Sequence, residues 1–205
     1  MKNRSLTDFI EAIDNDRPTP GGGAVAPYVG ALSTALMRMG GHISFKKDIF
    51  QNLPEPKKAE VLSLFARLKE IELALLDLMN EDSSAYQMVM TAIKLPKEDP
   101  LRKETIKRTL MLAFDVPYRM TQLMLEAYHL GQQIDPYVEG PLRSDVFVSY
   151  AMLKSAIVGA TVTMKANLTP STRPELLDKW TSIHREVMFV IADIDAKIVE
   201  EMRKE

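Results

Sequence analysis

Residues 19–44 read TPGGGAVAPYVGALSTALMRMGGHIS, three consecutive glycines followed by a long apolar segment rich in alanine. Glycine has no Cβ and tolerates positive φ, so the triplet Gly21, Gly22 and Gly23 lets the backbone approach a ligand closely. The segment from Ala24 to Ser44 predicts a helix, whose first N–H groups attract anions and polarised oxygens. The stretch therefore predicts either a backbone binding site at a helix N-terminus or a flexible loop that precedes a helix.

The same segment is apolar on nearly all sides, which is typical of a buried central helix in a soluble chain. Pro27 fits its first turn, where a missing N–H leaves no helical hydrogen bond unmade. The length approaches that of a membrane span, but Arg38 and the Gly-Gly-His sequence at 40–42 argue against one. We expect a core helix, with a subunit interface as the second interpretation.

Outside this stretch, apolar residues recur at helical spacing and no segment predicts a strand. Residues 131–142 predict a loop, Ser144-Asp145 a helix cap, and Pro117 a kink within a continuing helix. The predicted fold is an all-α, single-domain bundle over residues 1–205, with one apolar central helix after a glycine-rich loop. Its six predicted helices cover about 6–17, 24–44, 57–95, 100–130, 145–167 and 173 onward.

Composition removes several function classes. Lys and Arg total 26 against 28 Asp and Glu, so the net charge of −2 gives no general attraction to nucleic acid or anionic membranes. The absence of cysteine excludes disulfides, thiolate zinc sites and cysteine nucleophiles. The three histidines have no metal-ligand spacing, and residues 1–5 lead into charged residues rather than an apolar signal core. We expect a cytoplasmic protein that binds neither nucleic acid nor membranes.

Asp82 lies in a polar break, residues 81–86, within the long apolar helix that follows Pro56. Serines at 83 and 84 are mediocre helix formers, so packing alone does not explain them. A half-buried carboxylate at this position would have a raised pKa and suit general acid or base catalysis. The alternative is an acidic cluster that faces solvent.

Three further pairs have both a structural and a functional interpretation. Lys46-Lys47 follows the central helix, where cations suit the helix dipole or could bind an anion. Ser144-Asp145 is either a simple helix cap or a carboxylate at a loop–helix junction, where active-site residues collect. Thr163 and Asn167 share a helix face and could bind a polar ligand, or could bond to their own helix and cap it.

Taken in order, these features resemble the cyclodeaminase/cyclohydrolase family, which comprises formiminotetrahydrofolate cyclodeaminase and a methenyltetrahydrofolate cyclohydrolase of similar sequence. The resemblance implies an all-helical subunit, a homodimer and a site for a reduced folate near the glycines. It spans about residues 6–168 and rests on these motifs: Thr19-Pro20-Gly21-Gly22-Gly23-Ala24, Lys46-Lys47, Asp82 with Ala85-Tyr86, Leu95-Pro96-Lys97, Pro117, Ser144-Asp145 and Asn167-Leu168.

The family chemistry either opens methenyltetrahydrofolate with water to formyltetrahydrofolate or closes formiminotetrahydrofolate with loss of ammonia. Either path needs proton transfer and support for a tetrahedral intermediate, but no metal or redox cofactor. The resemblance implies that Asp82 and Asp145 transfer protons or stabilise cationic species. It further implies that Lys47 orients water or binds folate carboxylates, and that the substrate is bound by Gly21, Gly22, Gly23, Lys46, Ser144, Thr163 and Asn167.

Three positions depart from the family pattern. Phe45 and Asp48 flank the lysine pair where relatives commonly have a small or basic residue and a third lysine. Thr163 replaces the first Asn of an Asn-Val-x-x-Asn-Leu motif, which removes an amide's paired donor and acceptor. Beside a hydrolase or lyase of folate one-carbon metabolism, the sequence therefore allows a folate-binding protein with little turnover, or a helical dimerisation module.

Overall fold

The computed structural model describes residues 4–204, so the first three residues of the N-terminal segment considered above lie outside it. Within this range the chain is helical and contains no strand, which confirms the all-α prediction. Two single-turn 3-10 helices, Asp135–Tyr137 and Gly140–Leu142, both lie in the connection between the fifth and sixth α-helices. The α-helices are α1 (Leu6–Ile13), α2 (Gly22–Ser44), α3 (Asp48–Gln51), α4 (Glu55–Ile93), α5 (Arg102–Ile134), α6 (Arg143–Ala166) and α7 (Arg173–Met202).

Helix α2 is the central helix that its apolar sequence predicts, because α4, α5 and α6 all pack against it. Its small residues bring the neighbours close. A Cβ at Gly30 would lie 2.9 Å from Met124 Sδ of α5, and one at Gly41 would overlap the Phe65 ring of α4. Contacts from Gly159 to Ala26 and from Gly40 to Val146 show that α6 runs antiparallel to α2.

The main hydrophobic core extends from α2 to α7. Tyr128 of α5 and Tyr150 of α6 are fully buried at its centre, with ring centroids 5.8 Å apart. Tyr128 donates to Asp193 of α7, and Tyr150 donates to Asp135 at 3.0 Å, so both buried hydroxyl groups have partners. These bonds attach α7 and the 3-10 segment to the bundle.

Three details of the predicted helices are wrong. Helix α3, a single turn, was not expected, so residues 4–204 form seven α-helices rather than six. Helix α5 continues through Gly131 to Ile134, although a loop was predicted from residue 131. Gly131 does not form a turn but lets α5 pack closely on α2, since a Cβ there would lie 2.6 Å from Met37 Sδ. Helix α6 begins at Arg143 with Leu142 as its N-cap residue, so Ser144 does not cap it. The 3-10 turn before α6 leads directly into the helix, and Ser144 Oγ donates back to Pro141 O at 2.8 Å.

One segment among the described residues, Gly140–Ala166, is long and apolar enough to cross a membrane by length and composition. It contains α6 rather than the α2 segment that was considered above. Only 44% of its apolar window is buried inside the subunit, so much of its apolar surface lies open.

Candidate functional site

The glycine triplet forms the N-terminal end of α2, with Gly21 as the N-cap residue. No side chain caps this end, and the amides of Gly22 and Gly23 donate to no described group, whereas the next two amides bond to Gly21 O. Two N–H groups of the first turn are therefore available to a ligand. The triplet does not use the left-handed conformation, since Gly140 is the one glycine of the described residues with a positive φ.

Gly23 is required because of Asp82. A Cβ added at Gly23 would overlap both carboxylate oxygens and the carboxylate carbon of Asp82 on α4. At Gly22 a Cβ would meet only Thr163 Oγ1, at 3.9 Å. The Asp82 carboxylate thus lies directly against the backbone at the start of α2.

The Asp82 carboxylate makes no hydrogen bond or ion pair with residues 4–204. Burial raises its pKa above the ordinary value, because the ionised form loses hydration and gains no partner. Its neighbour Glu81 faces away and pairs with Arg119 on the protein surface. The helix rotation that the sequence left open therefore directs Asp82 inward.

Asp82 and the glycines line a cleft of about 390 Å³, here called the Asp82 cleft. Helix α4 forms one wall of the cleft, and the last turns of α6 form another. Pro18 and Thr19, which precede the glycines, also line the cleft, and the Thr19–Pro20 peptide bond is cis. The remaining lining residues are Ala85, Tyr86, Val89, Ala113, Val162, Thr163, Ala166 and Asn167.

Thr163 and Asn167 lie together on the α6 wall, as their spacing predicts. Thr163 Oγ1 donates to Gly159 O at 3.0 Å. This is a hydrogen bond within its own helix, as the structural interpretation of this residue predicts. Asn167 is the C-cap residue, and its Nδ2 donates to Ala113 O at 3.0 Å and to Thr163 O at 3.2 Å. Its side-chain oxygen accepts no bond from the described residues, so one acceptor remains free in the cleft.

The other predicted site residues lie at the opposite end of the bundle. Lys47 Nζ donates to Glu139 O at 3.2 Å, next to the 3-10 turn that precedes Ser144 and Asp145. Lys46 is exposed and has no partner in the part of the chain that the structure describes. Helix α2 has 23 residues and spans about 34 Å, so this group is far from Asp82 of the same chain. The predicted residues therefore form two groups, and one subunit does not bring Asp82, Asp145 and Lys47 together.

Two departures from the family pattern have local structural reasons. Phe45 packs on Phe50 and Phe65 with ring centroids 4.3 and 4.5 Å apart, so it completes an aromatic cluster at the end of α2. Asp48 is the first residue of α3, where a carboxylate suits the positive end of the helix dipole. Neither residue enters the Asp82 cleft.

Several apolar residues that line the cleft were not among the site residues predicted from the sequence. Ala85, Tyr86 and Val89 follow Asp82 by three, four and seven positions, which places all of them on one side of α4. This spacing was the signal that could have identified them. Ala113 of α5 had no such signal, because it reaches the cleft only through the packing of α5 on α6.

The histidines lie apart from one another. His42 contacts the Phe65 ring, His129 lies 3.3 Å from Glu186, and His184 stacks on Trp180. Within residues 4–204, no three His, Asp or Glu side chains lie close enough to hold a metal ion.

Known proteins resemble this chain over nearly its whole length. Its structure superimposes on formiminotetrahydrofolate cyclodeaminase from Thermotoga maritima with a TM-score of 0.82, covering 98% of both chains at 23% sequence identity. The methenyltetrahydrofolate cyclohydrolase of Methylorubrum extorquens is 26% identical over 171 residues, which are 80% of each protein.

The animal relatives are longer. Formimidoyltransferase-cyclodeaminase of Gallus gallus is 27% identical over 176 residues, which cover 84% of this chain but 32% of that protein. The chain thus spans about a third of the length of these relatives. A sequence model of the formiminotransferase-cyclodeaminase family matches residues 5–182. The chain therefore belongs to the formiminotransferase-cyclodeaminase family.

Proposed function

We propose that this protein is a folate one-carbon enzyme that hydrolyses methenyltetrahydrofolate to formyltetrahydrofolate, or cyclises formiminotetrahydrofolate with loss of ammonia. The observation that carries the proposal is the Asp82 carboxylate, unpaired and partly buried against Gly23 beside two free amides. The names of the relatives, a cyclohydrolase and several cyclodeaminases, support this substrate class.

In the hydrolytic direction, water adds to the carbon that bridges two folate nitrogens and forms a tetrahedral intermediate. The C–N bond to one nitrogen then breaks, and the carbon keeps the oxygen as a formyl group. The water loses both of its protons: one reaches the departing nitrogen, and the other is released. Asp82 suits both transfers, because it lies unpaired in the cleft and burial raises its pKa above the ordinary value for a carboxyl group.

In the cyclising direction, a folate nitrogen attacks the carbon of the protonated formimino group, and the bond from that carbon to the formimino nitrogen then breaks and releases ammonia. The same carboxylate accepts the proton of the attacking nitrogen and delivers it to the departing one. The methenyl product is cationic, and an ionised Asp82 would stabilise that charge at short range. One residue can therefore serve either reaction.

The rest of the Asp82 cleft binds and orients the substrate in this proposal. The Gly22 and Gly23 amides donate to a ring carbonyl or to the oxygen of the tetrahedral intermediate. The free oxygen of Asn167 accepts a ring N–H, while Tyr86 and Val89 pack against the flat face of the ring.

A second candidate is a folate-binding protein with little turnover. It is favoured by Thr163, whose hydroxyl hydrogen is committed to Gly159 O and so leaves no free donor for an intermediate.

The experiment follows methenyltetrahydrofolate absorbance, and ammonia release from formiminotetrahydrofolate, with the wild type, Asp82→Asn and Glu81→Gln. Glu81→Gln is the matched control, because it changes a neighbouring acid that faces solvent. Turnover that Asp82→Asn loses and Glu81→Gln keeps supports the enzyme. Full activity of Asp82→Asn contradicts the role of this carboxylate, and tight binding of reduced folate without turnover selects the second candidate.

A further inference from the structure

A second cavity, of about 510 Å³, lies between the C-terminal part of α4 and the first turns of α5. It is larger than the Asp82 cleft and shares no lining residue with it. We call it the Arg108 cavity; its main lining residues are Gln87, Met88, Thr91, Leu95, Thr105 and Arg108.

The Arg108 cavity and the Asp82 cleft lie on different sides of α4. Met88, Thr91 and Leu95 follow one another at intervals of three and four residues, so they mark one side of the helix. Thr91 comes nine residues after Asp82, which is about two and a half helical turns, so the two side chains leave the helix in opposite directions. A small molecule in the Arg108 cavity therefore does not enter the cleft.

Arg108 differs from the other arginines of α4 and α5 because it has no partner within residues 4–204. Carboxylates pair with Arg67 and Arg119, and Arg102 donates to two backbone oxygens at the end of α4. Arg108 makes no hydrogen bond or ion pair with the described residues, although Glu104 precedes it by one turn of the same helix. A guanidinium group with five N–H donors is therefore free at the cavity.

Other polar side chains of the cavity are also uncommitted. The side chains of Gln87, Thr91 and Thr105 form no hydrogen bonds with the part of the chain that the structure describes. Thr105 is the fourth residue of α5, close to the positive end of the dipole of this long helix. None of the described residues that line the cavity is acidic. Together these groups favour a negatively charged ligand that also forms hydrogen bonds.

Met88, Ala92 and Leu95 supply an apolar part of the same wall. Met88 is 48% exposed, so its flexible side chain is available to pack on a ligand. Sites for small molecules typically measure about 300–1,000 Å³ and combine an apolar lining with a few polar groups. The Arg108 cavity has this size and this composition.

We propose that the Arg108 cavity binds a small organic carboxylate, with the carboxylate group on Arg108 and the apolar body of the ligand on Met88 and Leu95. A carboxylate matches the planar guanidinium with two parallel hydrogen bonds and carries the single charge that one arginine neutralises. A phosphate group carries more charge at neutral pH, and the described lining residues include no second cation for it. This site is separate from the proposed folate chemistry and does not depend on it.

The test compares benzoate with benzamide and with inorganic phosphate as ligands of the whole chain. Benzamide keeps the ring without the charge, and phosphate keeps a charge without the ring. Binding is measured by NMR titration, in which the backbone amide signals of Thr91 and Thr105 are followed. We expect saturable benzoate binding in the millimolar range, as is usual for so small a ligand, and binding of the other two about tenfold weaker.

Benzamide or phosphate that binds as tightly as benzoate overturns the proposed ligand class. The absence of a saturable benzoate shift at these two amides overturns the site itself.

Variants then locate the bound benzoate. Arg108→Gln should weaken binding about tenfold, whereas Arg185→Gln, which changes an exposed arginine of α7 without a described partner, should not. Met88→Glu is a second variant, whose new charge repels the carboxylate at a position exposed enough to keep the fold. Asp82→Asn should bind benzoate as the wild type does.

Equal weakening by Arg185→Gln would indicate a general attraction of anions, and loss of binding in Asp82→Asn would move the ligand to the Asp82 cleft. Full binding by both Arg108→Gln and Met88→Glu would exclude the cavity. Each of these outcomes overturns the proposal.

Discussion

The Asp82 carboxylate occupies the space in which any residue other than glycine at position 23 would place its Cβ. This contact joins two residues that are far apart in the sequence and explains why the third glycine of the triplet is needed. It also brings a titratable group onto the N-terminal end of the central helix. The remaining lining residues of the Asp82 cleft surround this contact.

Gly23→Ala should reduce both stability and activity. The new methyl group overlaps the carboxylate, so either α2 or the Asp82 side chain must move, which typically costs about 1–3 kcal/mol. Gly22→Ala is the control for stability, because its Cβ meets only Thr163 Oγ1 at 3.9 Å. Urea unfolding of the two variants measures the difference, and equal stability would contradict the close contact.

Asp82→Asn should stabilise the protein at neutral pH. Burial raises the folded-state pKa of Asp82, so folding favours its protonated form. Its contribution to the free energy of unfolding is fully present below the unfolded-state pKa, about 3.9, and is lost as pH rises through the folded-state pKa. The variant should therefore exceed the wild type in stability at pH 7 and lose that advantage near pH 3.

Urea titrations at several pH values measure this linkage, with Glu81→Gln as the comparison. An advantage of Asp82→Asn that grows on acidification would show that the carboxylate is stabilised in its ionised form.

Gly41→Ala and Gly40→Ala should differ sharply although they are neighbours in α2. A Cβ at Gly41 overlaps the Phe65 ring, whereas one at Gly40 lies 3.5 Å from Val138 Cγ1, an ordinary contact. We expect Gly41→Ala to lose about 1–3 kcal/mol, and Gly40→Ala to gain up to about 1 kcal/mol from helix propensity. Thermal unfolding distinguishes them, and similar melting temperatures would show that the Phe65 ring moves aside freely.

The subunit interface that the sequence of α2 allows can be tested with a charge: Leu32→Glu should abolish self-association, and Leu73→Glu should not. Both leucines are exposed in the subunit, at 40% and 50%, but only Leu32 lies on the central helix α2, whose exposed residues carry no formal charge. Burying an unpaired carboxylate in an interface costs free energy, and a two-fold interface contains the substituted residue in both copies, so this cost is incurred twice. Sedimentation velocity checks the oligomeric state, and a dimer that survives Leu32→Glu would assign the interface to another surface.

Local properties of the sequence were sufficient to predict the long helices. Apolar spacing, prolines and small residues identified the long helices and the central position of α2, because helix formation depends on neighbours three and four positions apart. The same spacing rules did not predict the short helix α3 or the C-terminal end of α5. Gly131 could be read as a turn residue until its contact with Met37 showed that it serves packing.

The sequence by itself also indicated candidate site residues, since Asp82, the glycines, Thr163 and Asn167 stand out by type and spacing. Only the tertiary structure decided which of them meet. It joined this group in the Asp82 cleft and separated it from Lys47 and Asp145 by the length of α2. The reason is physical: helical periodicity fixes the face on which a residue lies, whereas meeting across the bundle depends on how helices distant in sequence pack against one another.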